Sequence, residues 1–203
     1  MDFFKKLFHI KTSEEESSVE SPQEAEEPIT IDQNTPIDER FMLNFKNNGG
    51  KFIYCASIED VFNAFENILL ENGWEQQDVF SYEKRLMEKF ENFDINFNQN
   101  ISAAFFLSTC EFLIADTGAL LLSSRQMKGR KLNELPANLV IYASTSQIVK
   151  NIDEGMSGIT ARNKQHIPSN ITTIKNFDTS KDQDFMSYGS AHKDVYLLLL
   201  EDL

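Results

Sequence analysis

The chain has 203 residues, and its 32 acidic side chains against 19 lysines and arginines give a net charge of −13 at pH 7. This length allows one domain with a substantial core. The acidic balance, without a long basic stripe, argues against a nucleic-acid ligand, and no apolar run is long enough to cross a bilayer. The first residues also lack the long apolar segment of a signal peptide, so the expected location is the cytoplasm.

The amino-terminal part of the chain differs in composition from the rest. Residues 1–11 are rich in phenylalanine and other large apolar side chains, which favours either a short amphipathic segment or a frayed end. Between residues 12 and 39 there are ten acidic side chains and no lysine or arginine. Such a composition cannot bury enough apolar surface to offset the entropy of ordering. We therefore predict a disordered acidic linker over residues 12–35 and a folded domain over residues 36–203.

Hydrophobic spacing and turn residues divide this domain into alternating helices and strands. Residues 101–108 are predicted as a short helix or turn, residues 123–133 as a loop, and residues 93–100 as either strand or loop. Strands that alternate with helices indicate an α/β fold with a mainly parallel central sheet. The predicted helices span residues 38–48, 58–72, 83–90, 147–160 and 182–188, and the predicted strands span residues 51–55, 79–82, 112–115, 119–122, 139–143, 171–174 and 195–200.

Two of these elements carry more specific predictions. The last strand, residues 195–200, is wholly apolar, which predicts a position inside the sheet with both faces buried. The helix over residues 147–160 follows a run of capping residues, and its spacing predicts that Ile148, Ile152 and Met156 face the core.

The clearest motif is a turn between two short apolar runs, residues 112–115 and 119–122, which are separated by Asp116, Thr117 and Gly118. Runs this short on either side of a glycine-containing turn predict an antiparallel hairpin, since glycine adopts a positive φ without steric cost. An acid and a hydroxyl are then held between two buried strands. That arrangement suits a ligand-binding site, and it suits an ordinary hairpin turn equally well.

A basic cluster follows the hairpin. It consists of Arg125, Lys128, Arg130 and Lys131. Gly129 within it would let the backbone approach an anion, and Arg130 can bind a carboxylate or phosphate through two hydrogen bonds. The alternative is a solvated loop. His192, which stands just before the last strand, is a candidate general acid–base; the alternative is an oriented polar group with a structural role.

The sequence carries no signature of a bound cofactor. It has no glycine-rich nucleotide-binding fingerprint and no cysteine–histidine spacing typical of a metal site. Cys55 and Cys110 are far apart in sequence and are predicted as reduced thiols in the core. We therefore predict neither a metal site nor a cofactor.

The order of these motifs resembles the LUD domain of the lactate utilisation protein C family. That family has Ala-Glu-Thr-Gly-Thr between two apolar strands, followed by an Arg/Gly loop, Leu-Pro-Pro, a strand and an Ile-Val pair. Here residues 115–118 read Ala-Asp-Thr-Gly, the basic loop follows, and Leu135 and Pro136 precede a strand and an Ile148-Val149 pair. The resemblance covers roughly residues 38–203.

The resemblance implies the α/β fold of the sugar-phosphate isomerases and coenzyme A transferases, and a role in lactate or organic-acid oxidation beside iron–sulfur proteins. The two separated cysteines of this chain could not hold an iron–sulfur cluster on their own. The chain departs from the family pattern, because Asp116 replaces a glutamate, Ala119 replaces a threonine, and His192 is displaced by one position. Carried over to this sequence, the resemblance implies catalytic roles for Asp116 and His192 and ligand contacts from Thr117, Gly118, Lys128, Gly129, Arg130 and Lys131.

We therefore expect a LUD-domain protein that binds a small anionic metabolite between the turn at residues 116–118, the loop at residues 128–131 and the segment around His192. The alternative is a non-catalytic interaction module with a degenerate site, which uses its acidic tail to reach a partner. A third interpretation, by fold analogy alone, is an enzyme that acts on an acyl thioester or a phosphosugar.

Overall fold

The computed structural model describes residues 35–164, 167–177 and 193–202. The helix predicted over residues 182–188, His192 and all but one residue of the predicted tail lie outside these ranges, and the predicted domain boundary at residue 36 stays a prediction. No helix in the described ranges is both long and apolar enough for a membrane span. The helices are α1 (Ile37–Asn47), α2 (Ile58–Asn72), α3 (Lys84–Lys89), α4 (Ser124–Met127) and α5 (Ile152–Arg162). The strands are β1 (Lys51–Cys55), β2 (Asp78–Phe80), β3 (Asn96–Asn98), β4 (Phe105–Thr109), β5 (Phe112–Ile114), β6 (Ala119–Leu122), β7 (Asn138–Ser144), β8 (Ile148–Val149), β9 (Thr172–Ile174) and β10 (Asp194–Leu200).

Six of the described strands form a central parallel sheet in the order β1-β10-β7-β4-β2-β3. The last strand, β10, lies between β1 and β7. Leu197 and Leu198 point to opposite faces of the sheet, and both are fully buried. Burial on both faces explains why this strand has no polar alternation. The predicted parallel central sheet and the interior position of the last strand are both confirmed.

The predicted hairpin is also confirmed, and it belongs to a second sheet. β5 and β6 pair antiparallel, with Ile114 opposite Ala119, in a sheet of the order β8-β5-β6-β9. Gly118 has a φ of 65°, which a residue with a side chain rarely adopts. Leu113 and Leu120 are fully buried, so the hairpin is part of the core.

The central sheet separates two apolar clusters. On one face, Phe65 of α2 packs in the same cluster as Leu198. On the other face, Phe45 of α1 and the hairpin pack with Leu197. A third cluster lies on the far side of the hairpin, where Ile159 of α5 covers it. The second sheet is therefore sandwiched between the central sheet and α5.

Residues 101–108 are predicted as a short helix or turn; residues 101–104 do form a turn, but residues 105–108 belong to β4, where the prediction was wrong. β4 lies between β2 and β7, and Phe105, Phe106 and Leu107 are fully buried. A strand buried on both faces shows no alternation, and its apolar run cannot be distinguished from a buried helical segment. The neighbouring residues 93–100, which the sequence left open, include the short strand β3.

The helix predicted over residues 147–160 begins later than expected. Residues 145–147 form a short 3-10 turn, and β8 follows at Ile148–Val149. α5 begins at Ile152, and its N-cap is Asn151, whose side chain accepts a hydrogen bond from Glu154 N at 3.0 Å. The capping run at residues 144–146 therefore serves the 3-10 turn, and the asparagine supplies the real helix start.

The inward face predicted for this helix was also wrong for two of its three residues. Ile148 is buried as expected, but Ile152 and Met156 are 46% and 39% exposed. The face that meets the hairpin contains Gly158 instead, where an added Cβ would lie 2.4 Å from the Phe112 ring. Because the helix backbone approaches the sheet closely at this glycine, the side of the helix that meets the hairpin differs from the side that apolar spacing predicts.

The loop predicted over residues 123–133 contains the short helix α4. Ser123 caps it by accepting from Arg125 N at 3.1 Å, and Gln126 Oε1 accepts from Ser123 N at 2.9 Å. This reciprocal cap stabilises a single turn of helix in a segment whose composition is typical of a loop. The basic residues 128–131 follow directly after it.

Candidate functional site

The candidate site lies at the carboxyl ends of β2 and β4, which are neighbours in the central sheet. From β2 the chain passes through α3 to β3 at the edge of the sheet, whereas from β4 it passes through the hairpin to β7. α3 and the hairpin pack on opposite faces of the sheet. Connections that diverge in this way leave a crevice at the strand ends, and open α/β sheets bind ligands in such crevices.

Glu83 follows β2 and joins it to the end of β4. Its Oε1 accepts hydrogen bonds from Ser108 Oγ and Thr109 N, both at 2.7 Å, and its Oε2 accepts from Thr109 Oγ1 at 2.6 Å. The pairing of β2 with β4 ends at Phe80 and Phe106. Beyond that point the Glu83 carboxylate takes the place of β2 as the hydrogen-bonding partner of the end of β4. Three hydrogen bonds hold this half-buried group in one orientation beside the crevice.

Arg130, the arginine of the predicted basic loop, reaches the same strand end. Its Nε donates to Tyr82 Oη at 2.7 Å, and its guanidinium carbon lies 5.6 Å from the centroid of the Phe80 ring. Within the described part of the chain, its Nη1 and Nη2 have no hydrogen-bond or ion-pair partner. The guanidinium is therefore held on one side and open at the two terminal nitrogens, a fork that fits a carboxylate or phosphate.

The other members of the basic loop lie further out. Lys128, Gly129 and Lys131 are exposed. Lys128 and Gly129 have φ values of 50° and 81°, and Lys131 N donates to Glu134 Oε2 at 2.8 Å. The two lysines are therefore exposed positive charges in the same loop as Arg130, which is its half-buried member.

The hairpin turn is attached to α1. Asp116 Oδ1 lies 3.1 Å from Arg40 Nη1, and Asn48 Nδ2 donates to Thr117 O at 2.7 Å. Gly118 packs against the helix backbone, where an added Cβ would lie 2.3 Å from Asn44 C. The predicted site residues of the turn thus have structural partners, although the side chains of Asp116 and Thr117 remain exposed.

The structure does not bring the turn and the basic loop together. They lie at opposite ends of β6, since the turn precedes Ala119 and the loop comes after Leu122. No hydrogen bond or ion pair between described residues joins Asp116 to residues 128–131. His192 is outside the described residues, and the residue after it, Lys193, stands at the amino end of β10.

Sequence reasoning missed the polar residues that follow β2 and β4. Besides Glu83 and Tyr82, Glu111 is only 7% exposed, and its Oε1 accepts from Ser123 Oγ at 2.6 Å. Gln147 Nε2 donates to the nearby Cys110 O at 2.6 Å. The available signal was a polar residue close after a strand. For Glu111 this signal was hidden because β4 was not predicted, whereas Glu83 followed a predicted strand and was assigned only to the start of a helix.

The two cysteines do not provide a reactive group. Cys55 and Cys110 are free and buried, as predicted. Burial raises the pKa of Cys55 to about 12, and burial together with the nearby Glu111 raises the pKa of Cys110 further. Both thiols are therefore protonated at neutral pH and lack nucleophilic character. Among the described residues, no group of three or more His, Cys, Asp or Glu side chains is arranged to hold a metal ion.

Comparisons with known proteins agree with the resemblance noted in the sequence. The family model of the LUD domain matches residues 39–200. A similar solved structure is the crystal structure of a DUF162 family protein from Deinococcus radiodurans, with a TM-score of 0.59 and 16% sequence identity. The match covers 82% of this chain and 96% of that one. No curated protein matches the chain. Because the family model covers most of the folded residues, the chain belongs to the LUD domain family.

Proposed function

We propose that this LUD-domain protein binds a small carboxylic acid of the lactate type through Arg130 and takes part in lactate or organic-acid utilisation. The observation that carries the proposal is the open fork of Arg130 at the diverging strands β2 and β4. The two terminal nitrogens of Arg130 have no partner among the described residues, so they can donate charged hydrogen bonds to a carboxylate oxygen. Partnership with iron–sulfur proteins of lactate oxidation, which the family resemblance implies, belongs to the same proposal.

The charges around Arg130 support a ligand with one or two negative charges. Lys128 and Lys131, which are exposed in the same loop, add positive charge, while Glu83 at the end of β4 is a carboxylate held by three hydrogen bonds. A polyanion would meet repulsion from Glu83, whereas a small hydroxy acid can place its carboxylate on the arginine and keep its hydroxyl near an acceptor. In this proposal Arg130 binds the anion, and catalytic roles for Asp116 and His192 remain predictions.

Isothermal titration calorimetry on the full chain tests the proposal. The titrants are L-lactate, pyruvate, coenzyme A and a hexose phosphate, and the variant is Arg130→Ala. We expect lactate or pyruvate to bind the wild type and Arg130→Ala to bind at least ten-fold more weakly, about the effect of losing a charged hydrogen bond. Arg85→Ala is the matched control, because Arg85 is an exposed arginine on α3.

The outcomes separate the alternative functions. Preferential binding of coenzyme A or the hexose phosphate would indicate that the natural ligand is an acyl thioester or a phosphosugar and not a hydroxy acid. Absence of binding for every titrant would contradict the proposal and favour a non-catalytic interaction module. Equal affinities of the wild type and Arg130→Ala for lactate or pyruvate would show that the binding site does not include the arginine of the basic loop.

A further inference from the structure

Tyr82 has a hydrogen-bonding capacity that the described residues do not use. Its Oη accepts from Arg130 Nε at 2.7 Å, but its own hydroxyl hydrogen has no acceptor within the described ranges. The ring is half-buried and contacts Phe80 edge-on, with centroids 5.0 Å apart. The phenol is therefore held in place by its ring and by Arg130, while its donor is available.

The geometry of the guanidinium places this donor beside the open fork. The Nε–H and the nearer Nη–H of an arginine point in parallel directions, and a bidentate ligand receives both. Tyr82 Oη occupies the Nε–H position. An anion oxygen on the neighbouring Nη–H then lies next to the tyrosine oxygen, within reach of its hydroxyl hydrogen.

We propose that Tyr82 is a ligand-contacting residue, which donates a hydrogen bond to the same anion oxygen that an Nη of Arg130 binds. This inference rests on the proposed function, because it assumes that Arg130 binds the anion. It places one anion oxygen on the Nη–H that runs parallel to Nε–H, since an anion held across the two terminal nitrogens would lie out of reach of the Tyr82 hydroxyl. The tyrosine then has two roles. It orients Arg130 by accepting from Nε, and it adds a neutral donor to the charged ones. Removing its hydroxyl weakens anion binding without removing the ring that packs on Phe80.

The first test replaces Tyr82 by phenylalanine in the full chain and measures L-lactate and pyruvate binding by calorimetry. We expect Tyr82→Phe to reduce affinity by about ten-fold or more, while the thermal midpoint stays close to that of the wild type. The control is Tyr142→Phe, since Tyr142 is a half-buried tyrosine of β7 whose ring contacts Phe90. This control should bind like the wild type.

A second test separates the donor role from simple orientation of Arg130. In 3-fluorotyrosine the hydroxyl is a better donor and a poorer acceptor than in tyrosine. Placed at position 82, and studied well below the pKa of the fluorinated phenol, it should bind the anion more tightly if the hydroxyl donates to it. A residue that only accepts from Arg130 Nε would give equal or weaker binding, and that result would overturn the inference.

Failure of this inference can be distinguished from failure of the proposed function. If the wild type binds lactate or pyruvate, Arg130→Ala loses binding and Tyr82→Phe does not, the proposed function stands and the role of Tyr82 is refuted. If the wild type binds neither acid, both proposals are refuted together.

Discussion

Arg40 and Asp116 form an ion pair between the first helix of the domain and the hairpin turn, with 3.1 Å between Nη1 and Oδ1. The arginine side chain is 11% exposed and the aspartate side chain 37%. Arg40 Nε is buried and has no hydrogen-bond partner among the described residues. Asp116 therefore supplies the acceptor that an otherwise poorly satisfied arginine needs, which gives the acid of the predicted motif a structural role.

The substitution Asp116→Asn tests that role. The amide keeps an acceptor for Arg40 and removes only the charge, so we expect a loss of about 1 kcal/mol or less and a thermal midpoint lower by about 2–4 °C. Lactate or pyruvate affinity should be unchanged. Glu66→Gln on the exposed face of α2 is the control for removing an acid. A ten-fold loss of affinity at near-normal stability would show that Asp116 acts at the ligand, as the sequence motif first suggested.

Gly118→Ala should strongly destabilise the domain. Its φ is 65°, and an added Cβ would lie 2.3 Å from Asn44 C and Phe45 N of the α1 backbone. A clash with backbone cannot be relieved by a side-chain rotation, so we expect a loss of about 3 kcal/mol or more in urea denaturation.

Gly129→Ala provides the matched comparison. Gly129 also has a positive φ, at 81°, but nothing lies within 4 Å of an added Cβ. Only the cost of holding a residue with a side chain at positive φ remains, which is about 1–2 kcal/mol. Equal losses for the two variants would mean that the hairpin turn is not packed on α1.

The variant Leu198→Asp should not accumulate as soluble protein. Leu198 is fully buried on β10, between β1 and β7, and an aspartate there would be an unpaired carboxylate in the core. Soluble expression and circular dichroism are the measurements. Leu70→Asp on α2, at a leucine that is 55% exposed, should express normally. Normal expression and melting of Leu198→Asp would place the strand at an exposed edge.

Lys193 predicts a pH dependence of stability. Its Nζ donates to Leu135 O and Pro136 O, and burial lowers its pKa from 10.5 to about 8. Between these two values the unfolded chain binds more protons than the folded chain, so this lysine makes stability rise as pH increases from about 8 to about 10.5. Below pH 8 both states are protonated, and its contribution no longer changes with pH.

Urea denaturation of the wild type and Lys193→Met across this pH range isolates the effect, because the other titrating groups cancel in the difference. The free energy of unfolding of the wild type should increase relative to that of the variant above pH 8. A constant difference would show that the lysine titrates alike in both states.

Local sequence determined those features that depend on neighbouring residues. The antiparallel hairpin around Gly118 followed from two short apolar runs and a residue that tolerates positive φ, and the interior position of β10 followed from its unbroken apolar run. The family motif and the choice of Arg130 as a candidate anion-binding residue also came from the sequence, because a basic residue beside glycine after a hairpin is a local pattern.

The tertiary structure alone decided which of these segments meet. Tyr82 and Arg130 are 48 positions apart in the chain, and Arg40 and Asp116 are further apart still. Whether such distant residues meet depends on the order of the strands in the sheet and on the face that each connection crosses. The local hydrophobic period specifies neither the strand order nor the face. β4 was missed for a related reason. Burial on both faces removes the alternation that marks a strand, and the crevice at its carboxyl end became visible only when that strand was placed beside β2.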